Sequence, residues 1–137
     1  MAPPRRPLEY TILIADDDPT SRDDLQAIVR PQGFPTFLAE SGEEALDIIQ
    51  SQPVHLLLCD MHMPRLSGLE TVNLAHQFNQ LLPCILVTAA ADDRLIRQAL
   101  QVKVYSVLAK PVNRHELLYT LTRALRKTYE QPPFSPS

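Results

Sequence analysis

A chain of 137 residues with 45% hydrophobic and 21% charged side chains has room for one ordinary domain around a single sizeable core. No apolar run approaches the roughly 20 residues of a membrane span, so a soluble protein without a membrane partner is expected. The formal charge of −3, with no Lys/Arg cluster on a helix, excludes the basic footprint of direct nucleic-acid binding.

Residues 1–9 and 130–137 hold six of the thirteen prolines and little that could pack, so they read as a flexible N-terminal tail and a proline-rich C-terminal tail or linker. The N-terminus runs from Arg5-Arg6-Pro7 into Leu8-Glu9 instead of an apolar stretch, so it is no secretory signal, and a cytoplasmic location follows by default. The domain itself spans 10–129. Tyr10 to Ala15 is a β-branched apolar strand that runs into Asp16-Asp17-Asp18-Pro19. A helix is expected from about Thr20 to Arg30, stopped by Pro31-Gln32-Gly33, and Pro35 to Ala39 is a short edge strand. Ser41 and Glu44 have capping-box spacing ahead of a helix that ends before Pro53.

The third strand, Leu56-Leu57-Leu58-Cys59, stops at Asp60 and turns at Met61-His62-Met63-Pro64. The helix after Gly68 is expected to bury Leu69, Val72, Ala75 or His76, and Phe78. Cys84 to Thr88 is the fourth strand; Ala89-Ala90-Ala91 follows. A helix begins at Asp92 or Asp93, with Leu95, Ile96, Ala99 and Leu100 as its inner face. Val104 to Ala109 is the fifth strand and ends at Lys110-Pro111. Asn113 caps a last helix reaching about Tyr129, with Leu117, Leu118, Leu121, Ala124 and Leu125 inward.

Five strands alternating with five helices imply a parallel sheet covered on both faces. Right-handed crossovers bring every strand's carboxyl end to one rim, so Asp16/Asp17, Asp60, Thr88 and Lys110 converge. If Asp60 and Thr88 are level, Cys59 and Cys84 are offset by roughly 10 Å along the strands. That exceeds disulfide reach, and free thiols are expected. His55, His76 and His115 lack mutual metal spacing and read as partly exposed residues.

Crowded carboxylates repel by on the order of 1 to 4 kcal/mol per close pair. A hard divalent ion with oxygen ligands offsets this, and a partial carboxylate set that leaves places for water and phosphate oxygens suits Mg²⁺. Lys110 adds a fixed cation and Thr88 a hydroxyl donor beside Asp60. Together these suit phosphoryl transfer to an aspartate.

The pieces Ile12-Leu13-Ile14-Ala15-Asp16-Asp17-Asp18-Pro19, Asp60-Met61-His62-Met63-Pro64 with Gly68, Thr88-Ala89 and Lys110-Pro111, in this order and spacing, resemble the receiver domain of bacterial two-component response regulators. The resemblance covers residues 10 to 129. It implies a flavodoxin-like doubly wound (βα)5 fold with strand order 2-1-3-4-5. It also implies that Asp60 is the phosphoacceptor from a sensor histidine kinase or histidine phosphotransfer protein, in a signalling receiver that catalyses only its own phosphorylation and dephosphorylation. Mg²⁺ would be held by Asp17 and Asp60 directly, by Asp16 through water, and by the backbone carbonyl of His62. Thr88 and Lys110 would contact the phosphoryl group, and Lys110-Pro111 would be cis. The face made by the fourth helix, fifth strand and fifth helix would carry output to a further domain, a partner or a phosphorylation-dependent homodimer.

Three positions depart from the family. Val107 replaces the usual switching aromatic; strand period places Tyr105 on the same face, where it would take over part of that role. Lys103-Val104 stands where Gly-Ala is usual, removing a permissive glycine. His62 and Ala90 occupy the two positions that tune dephosphorylation. Asp18, before a proline, is expected to organise the loop and not to bind metal. Two other readings remain: a receiver-like binding module that is never phosphorylated, and a phosphatase of the haloacid dehalogenase type with Asp16 as nucleophile.

Overall fold

The computed structural model describes residues 9–130. Apart from Glu9 and Glu130, the two tails expected from the sequence lie outside them. The elements follow as β1 (Ile12–Ala15), α1 (Pro19–Val29), a 3-10 turn at Arg30–Gln32, β2 (Thr36–Ala39), α2 (Gly42–Ser51), β3 (Leu56–Asp60), α3 (Gly68–Phe78), β4 (Cys84–Thr88), α4 (Asp93–Gln101), β5 (Ser106–Ala109) and α5 (Arg114–Tyr129). The strands pair in parallel in the order β2-β1-β3-β4-β5, the flavodoxin-like arrangement. β2, with Pro35 before it, lies at an edge.

Strand alternation divides the core into two layers. Leu13, Ala15, Leu57, Cys59, Cys84 and Leu86 pack toward Ala45 and Leu46 of α2, Val72 and Ala75 of α3 and Ala99 of α4. Ile12, Ile14, Leu56, Leu58, Ile85 and Val87 pack toward Leu25 and Val29 of α1 and Leu117, Leu121, Ala124 and Leu125 of α5. With both faces covered, Leu56-Leu57-Leu58 can be continuously apolar, and each of these residues is fully buried. A Leu or Ile buried in this way stabilises the fold by about 1.5–3 kcal/mol.

Each α-helix starts on a side-chain cap, from Asp18, Ser41, Ser67, Asp92 and Asn113, and each such cap contributes about 1 kcal/mol. Ser41 accepts the Glu44 amide, but the reciprocal capping box forms at Ser67 and Glu70, a pair the hydrophobic spacing had hidden inside the loop.

Several expectations are corrected. Asp60 is level with Val87, not Thr88. Because both strands are apolar on both faces, no alternation fixes their register from sequence. Cys59 and Cys84 are therefore offset by two residues, still roughly 8 Å apart once the strand spacing is included, and both thiols are free and buried. Burial pushes the Cys84 thiol up to about 12 and raises Cys59 well above its ordinary value. In α4 only Leu95 and Ala99 are buried; Ile96 and Leu100 are 42% and 68% exposed. The short edge strand β5 is too narrow to cover a four-residue apolar face. Phe78, at the last turn of α3, is also exposed.

Lys103 adopts φ 61°, so the turn before β5 keeps a left-handed residue even without glycine. Two histidines bridge elements. His76 sets its ring nitrogens 3.1 Å from the Val102 carbonyl and 2.9 Å from that of Leu82. His55 accepts the Thr11 amide on Nδ1 and packs edge-on to Tyr10 and Tyr129, whose hydroxyl donates to the His55 carbonyl. That cluster joins β1, β3 and the end of α5 at the base of the sheet, through contacts between residues far apart in sequence.

Candidate functional site

The carboxyl ends of β1, β3, β4 and β5 deliver Asp16, Asp17, Asp60, Thr88 and Lys110 to one rim. The ligand oxygens of Asp16, Asp17 and Asp60 lie within 4.8 Å of one another. Lys110 Nζ is 3.1 Å from Asp60 Oδ1 and 3.3 Å from Asp16 Oδ2. Its amide donates to the Thr88 carbonyl at 2.7 Å, and the Lys110-Pro111 bond is cis. Asp16 and Thr88 are fully buried, Asp60 is 5% exposed, and Asp17 is open to solvent.

Burial raises the Asp60 carboxyl above its usual range, and the charges of Asp16 and Asp17 add to this while Lys110 opposes it. Burial alone would lower Lys110, but its hydrogen bonds and the charges of Asp60 and Asp16 outweigh that and raise it. Three carboxylates against one ammonium leave an excess of negative charge, which a divalent cation would compensate. The residues fit such an ion: the donors are hard oxygens, and their spacing leaves positions for water and a further anionic ligand.

Asp18 Oδ1 accepts the Thr20 amide and caps α1, as its place before Pro19 suggested. The first turn of α1 folds back over Asp16 in a way the sequence reading missed. The Asp18 amide donates to Asp16 Oδ1 at 3.0 Å, the Ser21 hydroxyl donates to Asp16 Oδ2, and Arg22 Nη1 donates to the Asp16 carbonyl at 2.8 Å. The available signal was the position of Ser21 and Arg22 one helical turn after a strand-end carboxylate.

Gly68 opens α3 directly beneath the site. A Cβ there would lie 2.6 Å from the Asp60 carbonyl and 2.8 Å from Leu86 Cδ2, so only glycine lets the helix approach the strand end. His62 is exposed and, with Ala90, Asp92, Arg94, Leu95 and Gln98, lines a recess of about 250 Å³ beside the carboxylates.

The expected kinship of Tyr105 and Val107 is not found in their packing. Tyr105 precedes β5, so strand period does not govern it, and it packs against the α1/α5 layer while Val107 packs against the α2/α3/α4 layer. Arg123 Nη1 donates to the Tyr119 hydroxyl at 3.1 Å. Both Tyr105 and Val107 nevertheless border a groove of about 220 Å³ with Ile96, Ala99, Leu100, Val104 and Ser106.

The response regulator receiver domain model matches residues 12–122. Among curated proteins, the transcriptional regulatory protein ZraR of Escherichia coli is 33% identical over 118 residues, covering 86% of this chain and 27% of that protein. A cyclic di-GMP phosphodiesterase of Thermotoga maritima is 32% identical over 116 residues, covering 85% of this chain and 31% of its own length. The chain thus spans about a quarter to a third of these relatives. Among solved structures, a CheY-like receiver domain protein from Methanospirillum hungatei superposes with a TM-score of 0.84 at 27% identity, over 90% of this chain and 98% of that one. The signal receiver domain of an HD domain-containing protein from Pseudomonas fluorescens gives 0.84 at 28% identity, over 89% and 98%. Among the described residues, no helix is long and apolar enough to cross a membrane.

Proposed function

Because the chain belongs to the response regulator receiver domain family, we propose that Asp60 is its phosphoacceptor in a two-component phosphorelay. The observation that carries this reading is Lys110 Nζ held 3.1 Å from Asp60 Oδ1 beside two further carboxylates. A carboxylate oxygen of Asp60 attacks the phosphorus of a phosphohistidine on a sensor kinase or phosphotransfer protein. The phosphorus–nitrogen bond breaks, and its electron pair stays on the donor imidazole, which takes up a proton. Asp17, Asp60 and the His62 carbonyl would hold Mg²⁺ directly and Asp16 through water; the ion, when bound, neutralises charge on the phosphoryl oxygens. Lys110 and the Thr88 hydroxyl donate to those oxygens. His62 and Ala90, beside the carboxylates, govern access of the water that later hydrolyses the acyl phosphate.

The added negative charge draws Thr88 and Lys110 toward Asp60. Both sit where β4 and β5 end, so their movement is passed to the groove between α4 and β5, where Val107 leaves space and Tyr105 borders the opening. The face formed by α4, β5 and α5 is the output surface, toward a further domain, a partner or a second copy. Asp16 is a poor candidate nucleophile for the phosphatase alternative, since its carboxylate is fully buried and already accepts bonds from the Asp18 amide, Ser21 and Lys110.

Beryllofluoride, a stable phosphoryl mimic, tests the proposal. Fluorine NMR should show saturable binding that requires millimolar Mg²⁺ and is lost in Asp60→Asn. No binding under those conditions would favour a module that is not phosphorylated.

A further inference from the structure

We infer that Ser21 is a positioning residue whose hydroxyl keeps Asp16 partnered and so lets Lys110 leave it for the phosphoryl group. This rests on reading the rim as a phosphoacceptor site and concerns what that site needs beyond its strand-end residues.

Asp16 is fully buried, and its carboxylate has about four lone-pair positions to fill. The Asp18 amide takes one on Oδ1 at 3.0 Å. Ser21 and Lys110 share Oδ2, the ammonium at 3.3 Å. The remaining position, on Oδ1, is the one available to a metal-bound water. Lys110 thus divides its donors between two carboxylates, of which Asp60 is nearer at 3.1 Å.

When phosphoryl oxygens arrive at Asp60, Lys110 is the cation placed to meet them. Moving fully onto them strips the fully buried Asp16 carboxylate of a charge-assisted hydrogen bond, which is costly unless another donor stays behind. Ser21 is that donor. Its hydroxyl does not turn back to a carbonyl of its own helix, the common habit of serine near a helix start, but reaches the strand-end carboxylate five residues earlier. Arg22, with its side chain 12% exposed, anchors the same residue through the Asp16 carbonyl at 2.8 Å. The first turn of α1 therefore fixes Asp16 from both its backbone and its side chain, leaving Lys110 as the one mobile partner.

Ser21→Ala removes the hydroxyl without removing any group that would touch the ion or the phosphoryl mimic. In that variant Lys110 is the sole donor left on Oδ2, so it is retained by Asp16 and beryllofluoride binds more weakly. At saturating Mg²⁺ the loss should be on the order of tenfold, the size expected for one hydrogen bond to a charged group. Ser21→Thr, which restores the hydroxyl, should recover the affinity. Mg²⁺ affinity measured calorimetrically without beryllofluoride should change by less than about twofold, because Ser21 bonds Oδ2 and its loss leaves the open Oδ1 position, which a metal-bound water would use, unchanged. An Ala variant that binds beryllofluoride as the wild type does, a Thr variant as weak as Ala, or an equal loss of Mg²⁺ and beryllofluoride affinity would each overturn the inference. Wild-type protein that binds no beryllofluoride would instead overturn the phosphoacceptor reading on which it rests.

Discussion

Lys110 and Asp16 form an ion pair of 3.3 Å in which the carboxylate is fully buried and the ammonium side chain 26% exposed. The lysine is thus the movable half of the pair. Lys110→Met should destabilise the metal-free protein by about 1–3 kcal/mol, because the buried Asp16 loses its charged partner. Urea unfolding measures this, and Mg²⁺ should restore part of the loss in the variant by neutralising the same carboxylates.

Asp60 has the opposite effect on the metal-free fold. Its folded-state value is raised, by burial first and by Asp16 and Asp17 next, so the folded protein holds a proton that the unfolded chain has released. Stability from this group is therefore greatest at low pH and is lost as pH rises from the ordinary carboxylate range through the raised folded value. Asp60→Asn should remove that decline and stabilise the protein at neutral pH by about 1 kcal/mol. Urea midpoints compared across acidic and neutral pH without Mg²⁺ would show it; equal slopes in both proteins would contradict it.

Lys103 occupies the left-handed region at φ 61°, where a side chain costs about 1–2 kcal/mol. Lys103→Gly should relieve this and, after the extra freedom glycine gives the unfolded chain, leave a net gain of about 0.5–1 kcal/mol. The test is a rise in thermal midpoint with unchanged denaturant slope.

Gly68→Ala should have a large effect. Its Cβ would press on the Asp60 carbonyl, Leu86 and Met61 Cα, all within 2.8 Å, and two of these contacts are backbone atoms that cannot swing aside. A loss of about 2–3 kcal/mol is expected from such overpacking. Beryllofluoride affinity should fall with it, since the displaced backbone carries Asp60.

The five strand-end residues were legible because each strand is a short apolar run stopped by a polar residue, and parallel topology alone then brings those residues together; the sheet order 2-1-3-4-5 followed only from the resemblance to receiver domains. Register was not: Leu56-Leu57-Leu58 and Cys84-Ile85-Leu86 are buried on both faces, so a one-residue slip leaves the apolar pattern unchanged. The exposure of Ile96 and Leu100 was hidden for a related reason. Helical spacing marks an apolar face, but only the width of β5 decides how much of it is covered. Tyr105 was misassigned because the strand begins one residue after it. Ser21 was passed over since a serine in the first turn of a helix is ordinary, and only the fold brings its hydroxyl onto Asp16.

Phosphorylation of Asp60 can be read directly by exposing the protein to a small acyl phosphate such as acetyl phosphate and mapping the modified residue by mass spectrometry. One acyl phosphate, labile to acid, base and hydroxylamine, should form on Asp60 only with Mg²⁺ and be absent from Asp60→Asn. Modification at Asp16, or labelling that survives in Asp60→Asn, would contradict it.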